Sequence, residues 1–411
     1  MGWFFRRRPI LFANARVVGS EGVFASSLRI KGQVIDGFDI EPSSKDVVVD
    51  LKGAYLFPGL INAHDHLEFN HYGRVKFRER YNNASEWVGD MNKQLASDQA
   101  LVKGRSIPLK DRLFIGGIKN LLSGVTTVAH HNPFYRGLDQ RFPVRIVKNY
   151  GWAHSFYLQG GKAGAGGEQA GDILMRYRET PKDHPFIVHI AEGVDETAKN
   201  EFKRLKDIGC LGSNTILVHG VGLGVHDWVE LASSGAGLIW CPSSNMFLLG
   251  ETIPAREFLD VAATPRLALG SDSRLTGSRD LLEEMQMAVG TGGVTAREIF
   301  QMVSETPANL FRLPVSGRLS MGFPADLLVI PYVHTDPFEA LIACSRKDIL
   351  LVTINGQPHY GTSQFSYFFD MLNVKTADIE VDGSKKLLAV PWANRLKDCS
   401  LFETGVSCIA N

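Results

Sequence analysis

The sequence predicts an α/β fold in which a (β/α) barrel of the TIM type is flanked by a small β-sandwich built from both chain ends. In the middle of the chain, short apolar runs alternate with longer amphipathic stretches, whereas both ends are rich in short β-branched runs. The length of 411 residues fits one large barrel plus a smaller module. We therefore assign residues 1–55 to a first sandwich part, 56–311 to the barrel, and 312–411 to a second sandwich part with a C-terminal segment.

The two chain ends are predicted to form the sandwich. Short β-branched runs separated by Gly, Ser and Pro occupy residues 10–18, 28–35 and 46–51. Similar runs return beyond residue 311, at 326–330 and 349–354. The two β-rich ends are expected to pair into one domain beside the barrel.

Seven continuous apolar runs in the middle of the chain are predicted to be barrel strands. Such runs are typical of parallel strands that are covered on both faces. Between them, Ser278 is expected to cap a helix that ends near Gly290, and Thr295 a second helix that runs until Pro307. The predicted strands are 57–63, 125–129, 152–158, 186–190, 215–218, 237–240 and 266–269.

One barrel strand is missing from this pattern. An eight-strand barrel should have another strand between 158 and 186, where the sequence has a glycine-rich loop (160–167) and a helical stretch (168–177). The barrel is therefore expected to be distorted, or one strand shortened, near the fourth position.

The composition excludes several classes of function. Lys plus Arg and Asp plus Glu both number 44, and this balance argues against a nucleic-acid or anionic-membrane partner. No apolar stretch is long enough to span a membrane, and Asn14 and Arg16 interrupt the only candidate for a secretory signal. The five cysteines include no C-x-x-C pair, which disfavours disulfides and cysteine zinc sites. We expect a cytoplasmic protein with a small-molecule partner, either monomeric or a homo-oligomer.

Five residues with metal-binding or acid–base chemistry stand where predicted strands end. His64 and His66 lie at i and i+2, so their imidazoles face the same way on a strand; His189, His219 and Asp272 end three other strands. In a parallel barrel all these ends meet at one face. Each histidine alone is more simply explained as a hydrogen-bonded strand end, but five consistent placements favour a metal site. Three imidazoles and a carboxylate suit one divalent ion, zinc or else iron.

The order of motifs resembles the amidohydrolase superfamily, in its branch of cytosine-deaminase-like and triazine-hydrolase-like enzymes. The resemblance implies one metal ion bound by His64, His66, His189 and Asp272, with His219 beside the water or substrate. It also implies that Glu192 shuttles protons. The motifs are Pro-Gly-Leu-Ile-Asn-Ala-His-Asp-His (58–66), Ser-Gly-Val-Thr-Thr-Val (123–128), His-Ile-Ala-Glu (189–192), Val-His-Gly (218–220), Cys-Pro-Ser-Ser-Asn (241–245), Gly-Ser-Asp (270–272) and Gly-Phe-Pro-Ala-Asp-Leu-Leu-Val (322–329).

Three of these residues are assigned catalytic roles. Asp272 is expected to accept the proton of the activated water, and His219 to stabilise developing negative charge. Glu192 would protonate a leaving nitrogen; its alternative role is a first-turn carboxylate that faces a helix dipole. Two-metal members of the superfamily use a carboxylated lysine, but the runs 152–158 and 186–190 contain no lysine, which favours a single ion.

Other polar residues near the predicted strand ends are candidates for substrate contact. Only one of His130 and His131 can point into the barrel mouth, and His131 is chosen. His154 is expected to pack in the interior, and Asp65 to point away from the metal. The predicted substrate-binding residues are His131, Gln159, Asn245, Ser273 and Arg274.

The predicted activity is metal-dependent hydrolysis of a C–N bond other than a peptide bond, with deamination favoured. Hydrolysis of an amide, lactam or carbamate is the alternative on the same site, and dechlorination is a third. A non-catalytic scaffold with this fold is disfavoured because all five site positions are filled. The unrelated zinc cytidine-deaminase fold is disfavoured because its H-x-E and P-C-x-x-C signatures are absent.

Overall fold

The computed structural model describes residues 8–139, 141–156, 170–261 and 266–409. Its strands are β1 Ile10–Ala13, β2 Arg16–Gly19, β3 Gly22–Ala25, β4 Leu28–Lys31, β5 Val34–Phe38, β6 Val47–Asp50, β7 Tyr55–Pro58, β8 Leu60–Asp65, β9 Val125–His130, β10 Arg145–Ile146, β11 Gly151–Ala153, β12 Phe186–Ile190, β13 Thr215–His219, β14 Gly237–Trp240, β15 Leu267–Leu269, β16 Leu327–Ile330, β17 Leu351–Ile354, β18 Gln357–Gly361, β19 Thr376–Val381, β20 Ser384–Ala389 and β21 Val406–Cys408.

The helices alternate with the central strands and also follow several of the C-terminal ones. They are α1 Ala84–Gln94, α2 Gln99–Ser106, α3 Leu109–Leu122, α4 Ala170–Glu179, α5 Glu196–Lys199, α6 Glu201–Asp207, α7 Val225–Ser234, α8 Pro242–Leu249, α9 Ala255–Val261, α10 Leu281–Gly292, α11 Ala296–Met302, α12 Glu305–Leu310, α13 Pro337–Ala343, α14 Ser366–Met371 and α15 Val390–Asp398. None of those in the described ranges is long and apolar enough to cross a bilayer.

Strands from both chain ends share the outer β-structure. A four-stranded sheet has the order β5-β4-β1-β6, and a nine-stranded sheet has the order β21-β19-β20-β18-β17-β16-β7-β2-β3. The C-terminal β16 pairs antiparallel with the N-terminal β7, with Leu328 opposite Phe57. An apolar cluster between the two sheets contains Phe12, Leu56 and Phe368. The chain ends are thus held together by both backbone pairing and a common core.

The central strands form two parallel sheets. Their orders are β10-β9-β8 and β11-β12-β13-β14-β15, and the residues of β8, β9, β12 and β13 are all buried. Burial on both faces explains why these strands read as continuous apolar runs. The predicted run 57–63 divides at Gly59 into β7 of the outer sheet and β8 of the parallel one. A Cβ at Gly59 would lie 2.3 Å from the side chain of Thr126 in β9. The division therefore occurs where the backbone at Gly59 approaches β9 closely.

Strand pairing does not close the two sheets into the single barrel that the sequence predicts. Only residues 147–150 separate β10 from β11. This connection is too short for the crossover that two adjacent parallel strands need. We therefore treat β10 and β11 as two segments of one interrupted strand. On the other side, the Asp272 N–H donates to the His64 carbonyl at 3.0 Å. Between β11 and β12 the described residues contain α4 and no strand, whereas 157–169 lie outside the described residues.

Two helix predictions are wrong in their ends. Asp280, not Ser278, caps α10, since its carboxylate accepts the N–H groups of Leu282 and Glu283. Thr295 caps α11 as predicted, but α11 ends at Met302. Pro307 lies within the first turn of α12, where a proline costs no intrahelical hydrogen bond.

Candidate active site

The five predicted site residues meet at the C-terminal ends of the parallel strands. His64 lies in β8, His66 directly follows it, His189 lies in β12, His219 ends β13, and Asp272 follows β15. Ring nitrogens of His64, His66 and His189 all lie within 4.8 Å of one another. The carboxylate Oδ1 of Asp272 is 3.9 Å from Nε2 of His66. Four residues that are up to 208 positions apart in the chain therefore surround one small volume.

The donor atoms of this group fit a divalent metal ion. His64 Nε2, His66 Nδ1 and His189 Nδ1 are buried and have no hydrogen-bond partner within the described part of the chain, which is costly for a polar atom unless a ligand occupies it. Burial holds the pKa of His64 and His189 well below the usual value, so both rings are neutral at neutral pH. Neutral imidazole is the form that binds a metal.

The Asp272 carboxylate is held in the ionised state by its neighbours. Burial alone would raise its pKa, but the neighbouring His66 and His219 and the hydrogen bonds from Ser273 and Ser244 lower it. Ser244 Oγ and Thr276 Oγ1 donate to Oδ2 at 2.8 and 3.0 Å, and the Ser273 N–H donates to Oδ1 at 2.6 Å. The backbone φ of Asp272 is 51°, a conformation that non-glycine residues rarely adopt and that costs on the order of 1–3 kcal/mol.

Glu192 and His219 form a second pair of site residues. His219 Nδ1 lies 2.8 Å from Oδ1 of Asn245, whose amide group donates to Thr252. Because Asn245 Oδ1 only accepts, Nδ1 of His219 carries the hydrogen and Nε2 has the lone pair. This Nε2 is 3.5 Å from Oε1 of Glu192, and burial raises the pKa of Glu192 to about 7. A carboxyl with this pKa exchanges protons at neutral pH.

Glu201 supports the segment that carries His189 and Glu192, and the sequence analysis missed it. Its Oε2 accepts the Ala191 N–H at 2.6 Å, where the backbone has a φ of 57°. Burial raises the pKa of Glu201 to about 8. Glu201 lies in the first turn of α6, and nothing in the sequence distinguishes it from an ordinary first-turn acid.

Replacing Glu201 with glutamine should change the pH dependence of stability. Between the ordinary glutamate pKa and about 8, folded Glu201 keeps a proton that the unfolded chain has released, so its contribution is lost as pH rises through this window. Glutamine resembles the protonated acid. In denaturant unfolding, Glu201→Gln should match the wild type near pH ~5 and exceed it by up to a few kcal/mol near pH ~9. Glu196→Gln, at an exposed position of α5, is the control; equal differences at both pH values would contradict the assignment.

A buried polar network lies behind the histidines. Asp65 faces away from them and accepts hydrogen bonds from Asn70 (2.7 Å), Asn120 (2.9 Å) and Lys119 (3.2 Å). Lys119 is fully buried and also donates to Ser271 Oγ and to the Asp272 carbonyl, both at 3.0 Å. The network thus connects the end of β8 with the residues after β15. The sequence does contain a signal for it, a Lys-Asn pair within the otherwise apolar stretch 113–122 of helix α3.

A cavity of about 130 Å³ opens onto these residues. Its lining contains polar residues, among them three of the four candidate metal ligands, and apolar residues. His154, predicted to pack in the interior, instead lines the cavity, because β11 ends at Ala153 and His154 follows a strand end. The polar lining residues, named the polar wall, are His66, His154, His189, Glu192, His219, Asp272, Ser273 and Thr276, and the apolar ones are Phe69, Ala84, Trp87, Val88, Leu248 and Leu275.

Of the residues predicted to contact substrate, some lie at the cavity and others do not. Ser273 lines the cavity, whereas Asn245 lies behind His219 as its hydrogen-bond partner. His131 is buried beside His189, with ring centroids 4.3 Å apart. The guanidinium of Arg274 is not at the cavity, since it forms a buried ion pair with Glu403 at 2.5 Å. Gln159 lies outside the described residues.

Comparisons with known proteins show which proteins this chain resembles. Residues 182–365 match the amidohydrolase family model. A 5-methylthioadenosine/S-adenosylhomocysteine deaminase of Thermococcus kodakarensis is 28% identical over 191 residues, which cover 42% of this chain and 44% of that protein. The Halobacterium salinarum protein of the same name is 23% identical over 364 residues, or 76% of this chain and 83% of the relative.

A solved structure with the same fold is atrazine chlorohydrolase from Arthrobacter aurescens TC1 complexed with zinc. Its TM-score is 0.69 at 18% identity, and the match covers 85% of this chain and 94% of that one. The predicted resemblance to amidohydrolases is confirmed, and the fold is that of a TIM-barrel-like α/β protein with an additional domain. The Thermococcus alignment spans less than half of that relative's length.

Proposed function

We propose that this chain is a metal-dependent hydrolase that cleaves a C–N bond of a small molecule by hydrolytic deamination. The observation that carries the proposal is the meeting of His64, His66, His189 and Asp272 beside the buried pair of Glu192 and His219. The names of the relatives support deamination of an amine on a heterocycle.

The site is proposed to hold one divalent ion, zinc by preference and iron as the alternative. His64, His66, His189 and Asp272 would bind it, because imidazole and carboxylate suit both metals; these are four protein ligands, so the reacting water would be a fifth. When bound, such an ion lowers the pKa of water towards ~7 and thereby supplies a nucleophile at neutral pH.

The residues of the chain are proposed to move the protons. Asp272 is ionised; its Oδ2 accepts from both Ser244 and Thr276, whereas Oδ1 accepts the Ser273 N–H and keeps a lone pair that can take a proton on the His66 side. Glu192 has a pKa of about 7 and can pass a proton to the leaving nitrogen, as release of ammonia requires. His219, whose Nε2 lies 3.5 Å from Glu192, is proposed to stabilise negative charge on the substrate.

The cavity supports a substrate with both polar and apolar parts. A reacting amine would lie against the polar wall, while Phe69, Trp87 and Leu248 would contact an apolar or aromatic portion. Hydrolysis of an amide, lactam or carbamate, and dechlorination, use the same water and the same polar wall. They are the alternatives that the experiment below separates. A non-catalytic scaffold would have no need of orphaned buried imidazole nitrogens.

Three broader features belong to the same proposal. We propose that the two parallel sheets form one barrel, joined at β15 and β8 by the hydrogen bond between Asp272 and His64. We place the enzyme in the cytoplasm, consistent with five free cysteines, as a monomer or homo-oligomer. Its partner is a small molecule and not a nucleic acid or membrane, in keeping with the zero net charge.

A substrate screen tests the proposed reaction. The zinc-loaded protein is incubated with amine heterocycles, amides, lactams, carbamates and chlorinated triazines, and release of ammonia, carboxylate and chloride is measured in parallel. Ammonia from amine heterocycles is the expected result. Carboxylate or chloride without ammonia would replace deamination by one of the alternatives, and no release from any class would contradict the hydrolase assignment.

Replacing Glu192 with glutamine should reduce ammonia release by about 10²–10⁴-fold. The amide keeps the size of the side chain but cannot exchange the proton that the leaving nitrogen needs. Steady-state kinetics on the best substrate of the screen would measure the loss, mainly in kcat. The control is Glu196→Gln, the same change at an exposed position of α5. Full activity of Glu192→Gln would exclude the proton-shuttle role and leave Glu192 as a structural carboxyl.

A further inference from the structure

The first turn of helix α8 contacts two of the proposed reacting groups at once. Ser244 Oγ donates to Oδ2 of Asp272 at 2.8 Å. The next residue, Asn245, accepts the hydrogen on Nδ1 of His219 at 2.8 Å. Because Asp272 follows β15 and His219 ends β13, this one turn connects groups that two different strands carry. The orientation of both groups therefore depends on how the beginning of α8 is held.

The beginning of α8 has no side-chain cap of its own among the described residues. Cys241 stands at the N-cap position and makes no side-chain hydrogen bond to the helix. Pro242 has no N–H, and the Asn245 N–H donates to the Cys241 carbonyl at 3.1 Å. The N–H of Ser243 lies in the first turn, where an α-helix offers no acceptor of its own. This acceptor comes from another helix.

Glu284 of α10 provides it. Its Oε1 accepts the Ser243 N–H at 2.8 Å, and the Ser243 hydroxyl lies 2.5 Å from the hydroxyl of Ser278, shortly before α10. Glu284 is fully buried, and its Oε2 has no hydrogen-bond partner in the described part of the chain. Burial raises the pKa of Glu284 to about 7. A buried, partly unpaired carboxyl group is costly, so packing alone does not explain why it stands here.

Helix α10 holds Glu284 in place. The carboxylate of Asp280 caps this helix through Oδ1, and its Oδ2 accepts from Nε of Arg346 at 2.5 Å. Arg346 is itself only 1% exposed. Glu284 lies one turn further on, where its N–H donates to the Asp280 carbonyl at 3.1 Å. The acceptor of the Ser243 N–H is thus attached to a buried ion pair.

We propose that Glu284 is a positioning residue of the active site, which holds the first turn of α8 and thereby orients Asp272 and His219. The inference rests on the proposed function in one respect, namely that Asp272 and His219 take part in the reaction. Glu284 is not one of the residues that line the cavity, so it acts through α8 and not on the substrate. A misplacement of reacting groups by ~1 Å can cost on the order of 10²-fold in rate.

Kinetics of three variants of the full chain test the proposal. Glu284→Met removes the acceptor at similar size, Glu284→Gln keeps an acceptor oxygen at the same reach, and Glu283→Met changes the exposed neighbour on α10. With zinc-loaded protein, Glu284→Met should lower kcat by ~10–100-fold and leave KM within ~2-fold. Glu284→Gln should keep kcat within ~3-fold of the wild type, and Glu283→Met within ~2-fold.

The hydrogen on Nδ1 of His219 gives a second measurement, which needs neither metal nor turnover. In apoprotein labelled with ¹⁵N-histidine, this buried N–H should give an NMR signal, identified by its absence from His219→Gln. The signal should shift or broaden in Glu284→Met and stay unchanged in Glu284→Gln and Glu283→Met. A role in stability alone would lower the Tm of Glu284→Met but would move neither this signal nor the kcat of the folded protein.

The opposite results reject the proposal. They are a folded Glu284→Met with wild-type kcat and an unchanged His219 signal, or a change in KM alone, which would mean an altered cavity. If Glu284→Met does not fold, Glu284→Asp and Glu284→Gln decide. Aspartate keeps the charge but withdraws the acceptor by one methylene, so it should lose more kcat than glutamine, and the reverse order rejects the proposal. A wild type without turnover on any substrate contradicts the proposed function, and the His219 signal then decides on the positioning role by itself.

Discussion

Replacing His66 with alanine is expected to reduce turnover by more than about 10³-fold while leaving the chain folded. Nε2 of His66 lies 3.9 Å from Oδ1 of Asp272, and its Nδ1 has no partner among the described residues. Removing the ring would delete a proposed metal ligand without breaking a side-chain hydrogen bond of the described structure. Turnover and bound metal are measured together, and His226→Ala on the surface of α7 is the matched control.

Thermal unfolding distinguishes this loss from misfolding. Apoprotein of His66→Ala should unfold close to the wild-type temperature, because the substitution also removes a buried nitrogen whose missing partner costs stability in the apoprotein. Adding zinc should raise the Tm of the wild type, since a ligand that binds only the folded state stabilises it, and should raise that of the variant much less. A variant that retains wild-type turnover, or the full rise in Tm with zinc, would remove His66 from the proposed metal site.

The candidate site residues that could be predicted from the sequence are those that end a short apolar, strand-like run. His64, His66, His189, His219 and Asp272 each follow or end an apolar run, and parallel strands bring such ends together whatever their distance in the chain. The runs at 186–190 and 237–240 coincide with β12 and β14. Repetition of one rule at several strands made the convergence predictable.

The parts that could not be predicted depend on partners that are distant in the chain. Arg274 follows a strand end as the candidate metal ligands do, but its guanidinium is paired with Glu403, 129 positions away. This pair attaches the C-terminal segment to the barrel region, and the same carboxylate also contacts Arg346 at 2.6 Å. His154 was misplaced for a different reason. The apolar run 152–158 suggests a long strand, whereas β11 ends at Ala153, and a boundary error of a few residues moved His154 from the interior to the cavity.

Replacing Lys119 with methionine is expected to destabilise the chain by about 3–5 kcal/mol. Methionine fills the space of the side chain but leaves the Asp65 carboxylate, which is fully buried, without its cation. It also removes the donors to Asn70, Ser271 and the Asp272 carbonyl. Urea unfolding of the apoprotein measures the loss. Lys110→Met, at an exposed position of the same helix α3, should change the free energy of unfolding by less than ~0.5 kcal/mol.

A double-variant cycle shows how much of this loss comes from the stranded charge. In Lys119→Met with Asp65→Asn, the uncompensated carboxylate is gone, so the double variant should be more stable than Lys119→Met alone. Metal affinity should not recover to the same degree, because the backbone at Asp272 still lacks the lysine that connects it to the end of β8; a loss of about 10–100-fold is expected. If the double variant regained both stability and metal affinity, Lys119 would serve only to neutralise Asp65. If Lys119→Met were as stable as the wild type, the contact between Lys119 and Asp65 would not stabilise the fold, and the expectation would be wrong.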